Sequence, residues 1–130
     1  MTARILCVSM GMAGPVSACV ELSRRLAVAG HRVTYAGAGG DRHLAEKHGL
    51  EFMPLEPSRY QTFLETDAAP SPLSRLVGLA ERRRLAMRSV SVESFAAGAR
   101  ELAPDLVLVD GEMHEHVIAA ASLGVPVAIL

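Results

Sequence analysis

The sequence predicts an α/β chain folded as a doubly wound parallel sheet. Three observations carry this. From residue 4 to residue 35 an apolar run, a small-residue loop, a helical pattern and a second apolar run follow one another, which is a βαβ unit. Runs such as 5–9 and 105–110 are apolar almost throughout, as strands buried on both faces are. Half of the 130 residues are hydrophobic and mean hydropathy is +0.26, ample for the core of one domain.

The elements follow in order. Ile5 to Ser9 reads as a central strand and Met10 to Gly14 as a loop. Gly14 is expected as N-cap and Pro15 as the first helical residue, where a missing N–H costs nothing. Val16, Cys19, Val20, Leu26 and Ala27 then face the sheet, Glu21 and Arg25 form an exposed i,i+4 pair, and Gly30 stops the helix. Val33 to Ala36 is the second strand. Asp41 caps a short helix through Lys47 or His48, closed by Gly49, and Leu50 to Pro54 is the third strand. Leu55 to Ser71 is a long connection with four prolines in or beside it, a length that in a compact domain usually marks function.

Ser71 and Pro72 then open a helical stretch through Leu73, Leu76, Val77 and Ala80, with periodicity returning at Phe95, Ala99 and Leu102. Between them Arg88 to Val92 also reads as strand-like alternation, so two helices with a bend are expected. Pro104 breaks the chain. Asp105 to Asp110 is a fourth strand, His114 to Ser122 a helix stopped by Gly124, and Val125 to Leu130 a fifth strand. The order is that of a Rossmann-like doubly wound sheet, cut off after its fifth strand, so residues 1–130 are expected to be part of a larger domain.

Composition excludes several functions. Net charge is −1, which gives no field for nucleic acid or an anionic membrane. Three Phe, two Tyr and no Trp leave few platforms for stacking bases. No apolar run approaches the roughly 20 residues of a membrane span, and Ile5 to Val8 is too short for the core of a signal peptide. Two cysteines, Cys7 and Cys19, are expected as buried thiols in a reducing cytoplasm.

Three passages together carry a resemblance. Gly14-Pro-Val-Ser-Ala-Cys-Val-Glu-Leu-Ser-Arg-Arg-Leu26 runs on into Gly30-His-Arg-Val-Thr-Tyr35. Leu44-Ala-Glu-Lys-His-Gly-Leu-Glu-Phe-Met-Pro-Leu55 is a helix, then a glycine, then a strand ending near proline. Pro104-Asp-Leu-Val-Leu-Val-Asp110 is followed by Leu123-Gly-Val-Pro-Val127. In this order and spacing the chain resembles the amino-terminal, acceptor-binding half of GT-B fold glycosyltransferases that modify macrolides and other natural products. The resemblance implies an inverting, metal-independent enzyme using a nucleoside diphosphate sugar, such as a UDP-sugar, as co-substrate, and no other cofactor. It implies a small-molecule acceptor and a carboxyl-terminal donor-binding domain or subunit. In the family a His on the first loop deprotonates the acceptor and an Asp after the later strand orients it. Here Asp110 matches the Asp, whereas Pro15 stands at the His position and Ser17-Ala18 replaces the family's Asn-Pro. An acceptor-side portion inactive alone is therefore expected, with a non-catalytic binding module or one subunit of a split transferase as the alternative.

The candidate site is the first loop, Met10, Gly11, Met12, Ala13, Gly14 and Pro15, with Asp110 and His114. Small residues there allow a diphosphate to approach the helix terminus, and equally suit a tight strand-to-helix turn. Asp110 can orient or act as a base, or merely cap a turn. His114, one turn beyond, is a substitute base or a surface polar group. His114 and His116, two apart on a helix, point about 200° apart, so no metal site is expected. His31, His43 and His48 are expected to be solvated. The run Arg82 to Arg84, with Arg75 and Arg88, suits a diphosphate, a lipid surface or simply solvent.

Overall fold

A computed structural model describes residues 1–9, 13–57 and 90–130 of the chain, with the side chains of Ala13 and Pro15 left aside. The chain forms β1 (Arg4–Val8), α1 (Ala13–Val28), β2 (Arg32–Gly37), a 3-10 turn (Gly39–Asp41), α2 (Arg42–Lys47) and β3 (Glu51–Pro54). It continues as α3 (Val92–Leu102), β4 (Leu106–Val109), α4 (His114–Ala121) and β5 (Val127–Ile129). All five strands pair in parallel in the order β3-β2-β1-β4-β5.

The period of two along β1 explains the architecture. Leu6 and Val8 point to one side, where they join Ala36, Phe95, Ala99, Val107, Val109, Met113 and Ala120 in a single cluster. Ile5 and Cys7 point to the other, against Val16, Cys19, Val20, Val33, Tyr35 and Leu108. Both faces are apolar, so both must be covered: α1 and α2 supply one layer, α3 and α4 the other. Along α1, Val16, Cys19, Val20 and Ser23 are buried, the i, i+3, i+4, i+7 stripe of a helix lying on a sheet.

Several expectations shift in detail. α1 begins at Ala13, so Gly14 and Pro15 are inside its first turn rather than at its cap. Proline is tolerated there because the first four helical N–H groups have no intrahelical acceptor. Strands β3, β4 and β5 are shorter than expected, and β1 keeps its length but is displaced by one residue toward the amino terminus. At the described end of the ambiguous stretch Val90 bridges Pro57, the Ser91 N–H donates to the Glu56 carbonyl, and Ser91 then caps α3 by accepting from the Ser94 N–H at 3.1 Å. The second of the two expected helices, the one carrying Phe95, Ala99 and Leu102, starts at Val92. The expected helix from Ser71 to Ala80, the arginine run 82–84, Arg75 and Arg88, and nearly all of the connection from Leu55 to Ser71 lie outside the described residues.

Helix ends follow from backbone conformation. Gly30 and Gly49 end α1 and α2 with φ of 94° and 71°, as their positions in the sequence predict. α3 ends differently, at Ala103 with φ 46°, the one non-glycine residue in the left-handed region among those described. A Cβ there costs about 1 kcal/mol relative to glycine. Ala103→Gly should therefore stabilise the fold by about 0.5–1 kcal/mol in urea denaturation, less whatever the added unfolded-state entropy removes. A loss of stability would show that this terminus is not strained.

Candidate functional site

In a sheet of this order the chain reverses direction between β1 and β4, and the crevice outside the carboxyl ends of those two strands is where ligands bind in open α/β sheets. Asp110 stands there. Its N–H donates to the Val8 carbonyl at 3.1 Å, which puts it directly beside the end of β1. Its carboxylate Oδ1 accepts from the Glu112 N–H at 3.0 Å, closing a short turn into α4. The structural role expected of a turn aspartate is thus filled. One carboxylate oxygen, Oδ2, makes no hydrogen bond to a described residue. Asp110 is half-buried, while His114, the first residue of α4, is exposed, and no hydrogen bond joins the two. Of the first loop, Met10, Gly11 and Met12 lie outside the described residues. Ala13, Gly14 and Pro15 form the start of α1, and a Cβ added to Gly14 would meet no described atom.

The same edge holds polar groups that the sequence left unremarked. The Ser9 and Tyr35 hydroxyls meet at 2.7 Å, both buried, at the ends of β1 and β2. Tyr35 stacks near Phe52, with centroids 6.4 Å apart, and burial raises its phenol well above the ordinary value. A tyrosine in an otherwise apolar strand was the available signal, because a buried phenol needs a partner. Asp41, expected as a helix cap, makes no side-chain capping bond. Its Oδ2 is buried without a partner among the described residues, and desolvation raises its carboxyl above the usual range.

The histidines divide. His116, expected at the surface, is buried and packs against Phe95 with ring centroids 5.4 Å apart. The reason is helical phase: two residues from exposed His114, it falls on the face of α4 that covers the sheet. Burial lowers its pKa below 6.5, and its Nε2 has no partner among the described residues. His31 is part-buried, its Nδ1 accepting from the Ala3 N–H at 3.2 Å. No group of three metal-ligating side chains occurs among the described residues.

A groove of about 610 Å³ opens elsewhere, between β3 and α3, lined in part by Arg4, Thr34, Glu51, Met53, Gly98 and Glu101. It reaches toward the amino ends of β1 and β2. There Glu51 is engaged by Arg32 at 2.9 Å and by Thr34 at 3.1 Å. The Asp110 edge is the better candidate site because it carries a carboxylate oxygen with no hydrogen bond to a described residue. No helix among the described residues is long and apolar enough to cross a membrane.

Two outcomes follow. Tyr35→Phe leaves the Ser9 hydroxyl buried and unpaired and should cost about 1–2 kcal/mol of unfolding free energy; an unchanged denaturation midpoint would place no weight on this bond. For His116 the folded pKa lies below the unfolded one, so the unfolded chain takes up the proton first. Its contribution is intact above pH 6.5 and is lost as pH falls below it. Unfolding measured at several pH values should show that decline in the parent and a shallower one in His116→Phe.

No family model matches the chain, and no curated protein matches it either. Solved structures do. The glycosyltransferase SsfS6 of Streptomyces sp. SF2575 is 28% identical with a TM-score of 0.67, aligned over 98% of this chain and 39% of its own. The glycosyltransferase SnogD of Streptomyces nogalater is 25% identical with a TM-score of 0.71, over 100% of this chain and 35% of its own. The calicheamicin glycosyltransferase CalG4, at 21% identity and a TM-score of 0.69, shares the fold over 98% of this chain and 32% of its own. Across its whole length the chain is a structural relative of natural-product GT-B glycosyltransferases, and it spans about a third of their length.

Proposed function

We propose that this chain is the acceptor-side part of an inverting glycosyltransferase. In that reading a sugar passes from a nucleoside diphosphate sugar to a hydroxyl of a small molecule, in the cytoplasm. The observation that carries it is the position of Asp110 at the switch point beside β1, within a fold aligned along its whole length with SsfS6 and SnogD. SsfS6 also has a structure complexed with thymidine diphosphate, which favours a nucleoside diphosphate as leaving group here.

The chemistry asks for three things. The acceptor oxygen must attack the anomeric carbon as the bond to the diphosphate breaks, and the acceptor proton must go to a base. Among the residues at the edge, the Asp110 carboxylate is the group able to orient or receive that proton, with exposed His114 nearby in sequence as the alternative acceptor. Pro15 has no proton acceptor in its side chain. The diphosphate must be held elsewhere, by a carboxyl-terminal donor-binding domain or a separate subunit. Without one, the chain should not turn over.

Pro15 also favours a second reading, a non-catalytic binding module or one half of a split transferase. The test is sugar transfer to hydroxylated aromatic and macrolide acceptors from thymidine and uridine diphosphate sugars, followed by mass spectrometry. The 130-residue chain alone should give no product and should bind nucleoside diphosphates poorly in calorimetry. Turnover by the chain alone would sink the proposal. In a longer protein or reconstituted pair that does transfer sugar, Asp110→Asn should reduce kcat about 100-fold, the ordinary worth of a positioned acid–base group. If Asp110→Asn is fully active, Asp110 is a turn residue only. If the complete protein is inactive and Pro15→His does not restore transfer, the binding-module reading takes its place.

A further inference from the structure

The Val8–Ser9 peptide at the carboxyl end of β1 is held from both sides. Its carbonyl accepts the Asp110 N–H at 3.1 Å, which ties it to the end of β4. The hydroxyl of Ser9 meets the Tyr35 hydroxyl of β2 at 2.7 Å, with both residues buried. A peptide unit is planar and stiff, so a restraint on one side of it is transmitted to the other. The two bonds together form a line from Tyr35 through Ser9 and Val8 to Asp110, crossing the edge from β2 over β1 to β4.

The line starts on a rigid anchor. The Tyr35 ring lies near Phe52, with centroids 6.4 Å apart, and a Cβ at Gly37 would come within 3.0 Å of it, so the ring packs directly against the chain there. Packing of this kind locks a side chain in one rotamer. The line ends on a group with few ties to β1. Paired residues of β1 stop at Val8 on both edges, so Ser9 lies one residue past the ladder, as Asp110 lies one past β4. Asp110 also accepts from the Glu112 N–H at its Oδ1 and from the Met113 N–H at its carbonyl, but both bonds lie within its own turn. Among the described residues, the Val8 carbonyl is thus what ties Asp110 to β1.

We propose that Tyr35 is a positioning residue for the Asp110 carboxylate: through Ser9 it fixes the Val8 carbonyl that Asp110 is bonded to, and so sets where the carboxylate meets an acceptor hydroxyl. The inference rests on the reading of Asp110 as the group that orients or receives the acceptor proton. Ser9 and Tyr35 are 2% and 0% exposed, so they act through Asp110 and not by touching substrate. Reaction geometry is sensitive to such support, because a displacement of about 1 Å at a reacting group can cost about 100-fold in rate. Two variants separate positioning from plain stability. Tyr35→Phe leaves the Ser9 hydroxyl buried and unpaired, whereas Ser9→Ala with Tyr35→Phe removes both polar groups and recovers stability while the tie stays broken.

The first readout needs no sugar transfer: amide hydrogen exchange of the 130-residue chain, followed by NMR. In both variants the Asp110 N–H should exchange about tenfold faster relative to the Asp105 and Val107 N–H groups, whose bonds to Arg4 and Pro126 lie away from the tie. A rise at Asp110 no larger than theirs overturns the inference, whatever the stability of the variants. The second readout is the kinetics of a longer protein or reconstituted pair that transfers sugar. There the double variant should lose about tenfold in kcat with KM for the nucleotide sugar unchanged. Added to Asp110→Asn it should cost nothing further, because both changes act through one carboxylate. Full kcat in the double variant, or an equal loss on top of Asp110→Asn, overturns the inference and leaves the reading of Asp110 intact. If Asp110→Asn alone is fully active, that reading fails and the positioning role fails with it.

Discussion

Burial of β1 on both faces is the constraint on which the rest of the structure depends. Leu6, Cys7 and Val8 are each less than 1% exposed, and a strand with no solvent-facing side must have a neighbour on each edge and a layer on each face. Strands β2 and β4 take the edges; the α1–α2 and α3–α4 layers take the faces. Each large apolar side chain so enclosed contributes about 1.5–3 kcal/mol relative to exposure. The same geometry creates the switch point. Because β2 follows β1 on one side and β4 lies on the other, the loops leaving β1 and β4 part company at the carboxyl edge, and a crevice opens between them.

That edge is where the polar groups gather. Ser9 and Tyr35 satisfy each other, Asp110 is half spent on a turn, and the Asp41 carboxylate is buried with one oxygen unpartnered among the described residues. By contrast, the amino edge is bound up in pairs: the Arg4 N–H donates to Asp105 at 2.7 Å, the Asp105 N–H donates back to the Arg4 carbonyl at 2.8 Å, and Arg32 holds Glu51. The Arg4 contacts keep the Asp105 carboxyl below its usual range, chiefly through the backbone N–H. Satisfied polar groups fix geometry, whereas unsatisfied ones are available to a ligand. This asymmetry favours the carboxyl edge for the proposed chemistry over the groove between β3 and α3.

The transferase site proposed for this edge needs a proton acceptor beside the acceptor hydroxyl. The imidazole that best resembles one by sequence, His114, is exposed at the start of α4, and the one the fold brings inward, His116, is turned against Phe95 in the core. The carboxylate of Asp110 is left as the group at the crevice itself. Pro15, inside the first turn of α1, contributes backbone shape to that turn and no proton chemistry.

The sequence by itself determined the fold class, the existence and type of each described strand and helix, the glycine stops at Gly30 and Gly49, and the Glu21–Arg25 pair, observed at 2.8 Å. These are local matters: periodicity, capping and backbone permissiveness act within a few residues, so they can be read along the chain. The placement of Asp110 beside Val8 was legible only through the usual strand order, since their separation in sequence says nothing about contact. What only the tertiary structure decided is pairing across that distance. Tyr35 finds Ser9, Val90 bridges Pro57, and His116 turns inward while His114 does not. Those outcomes depend on register and on the rotational phase of each helix over the sheet. A shift of one residue would send a strand's side chains to the opposite face and turn a helix's by about 100°, and no local preference fixes either.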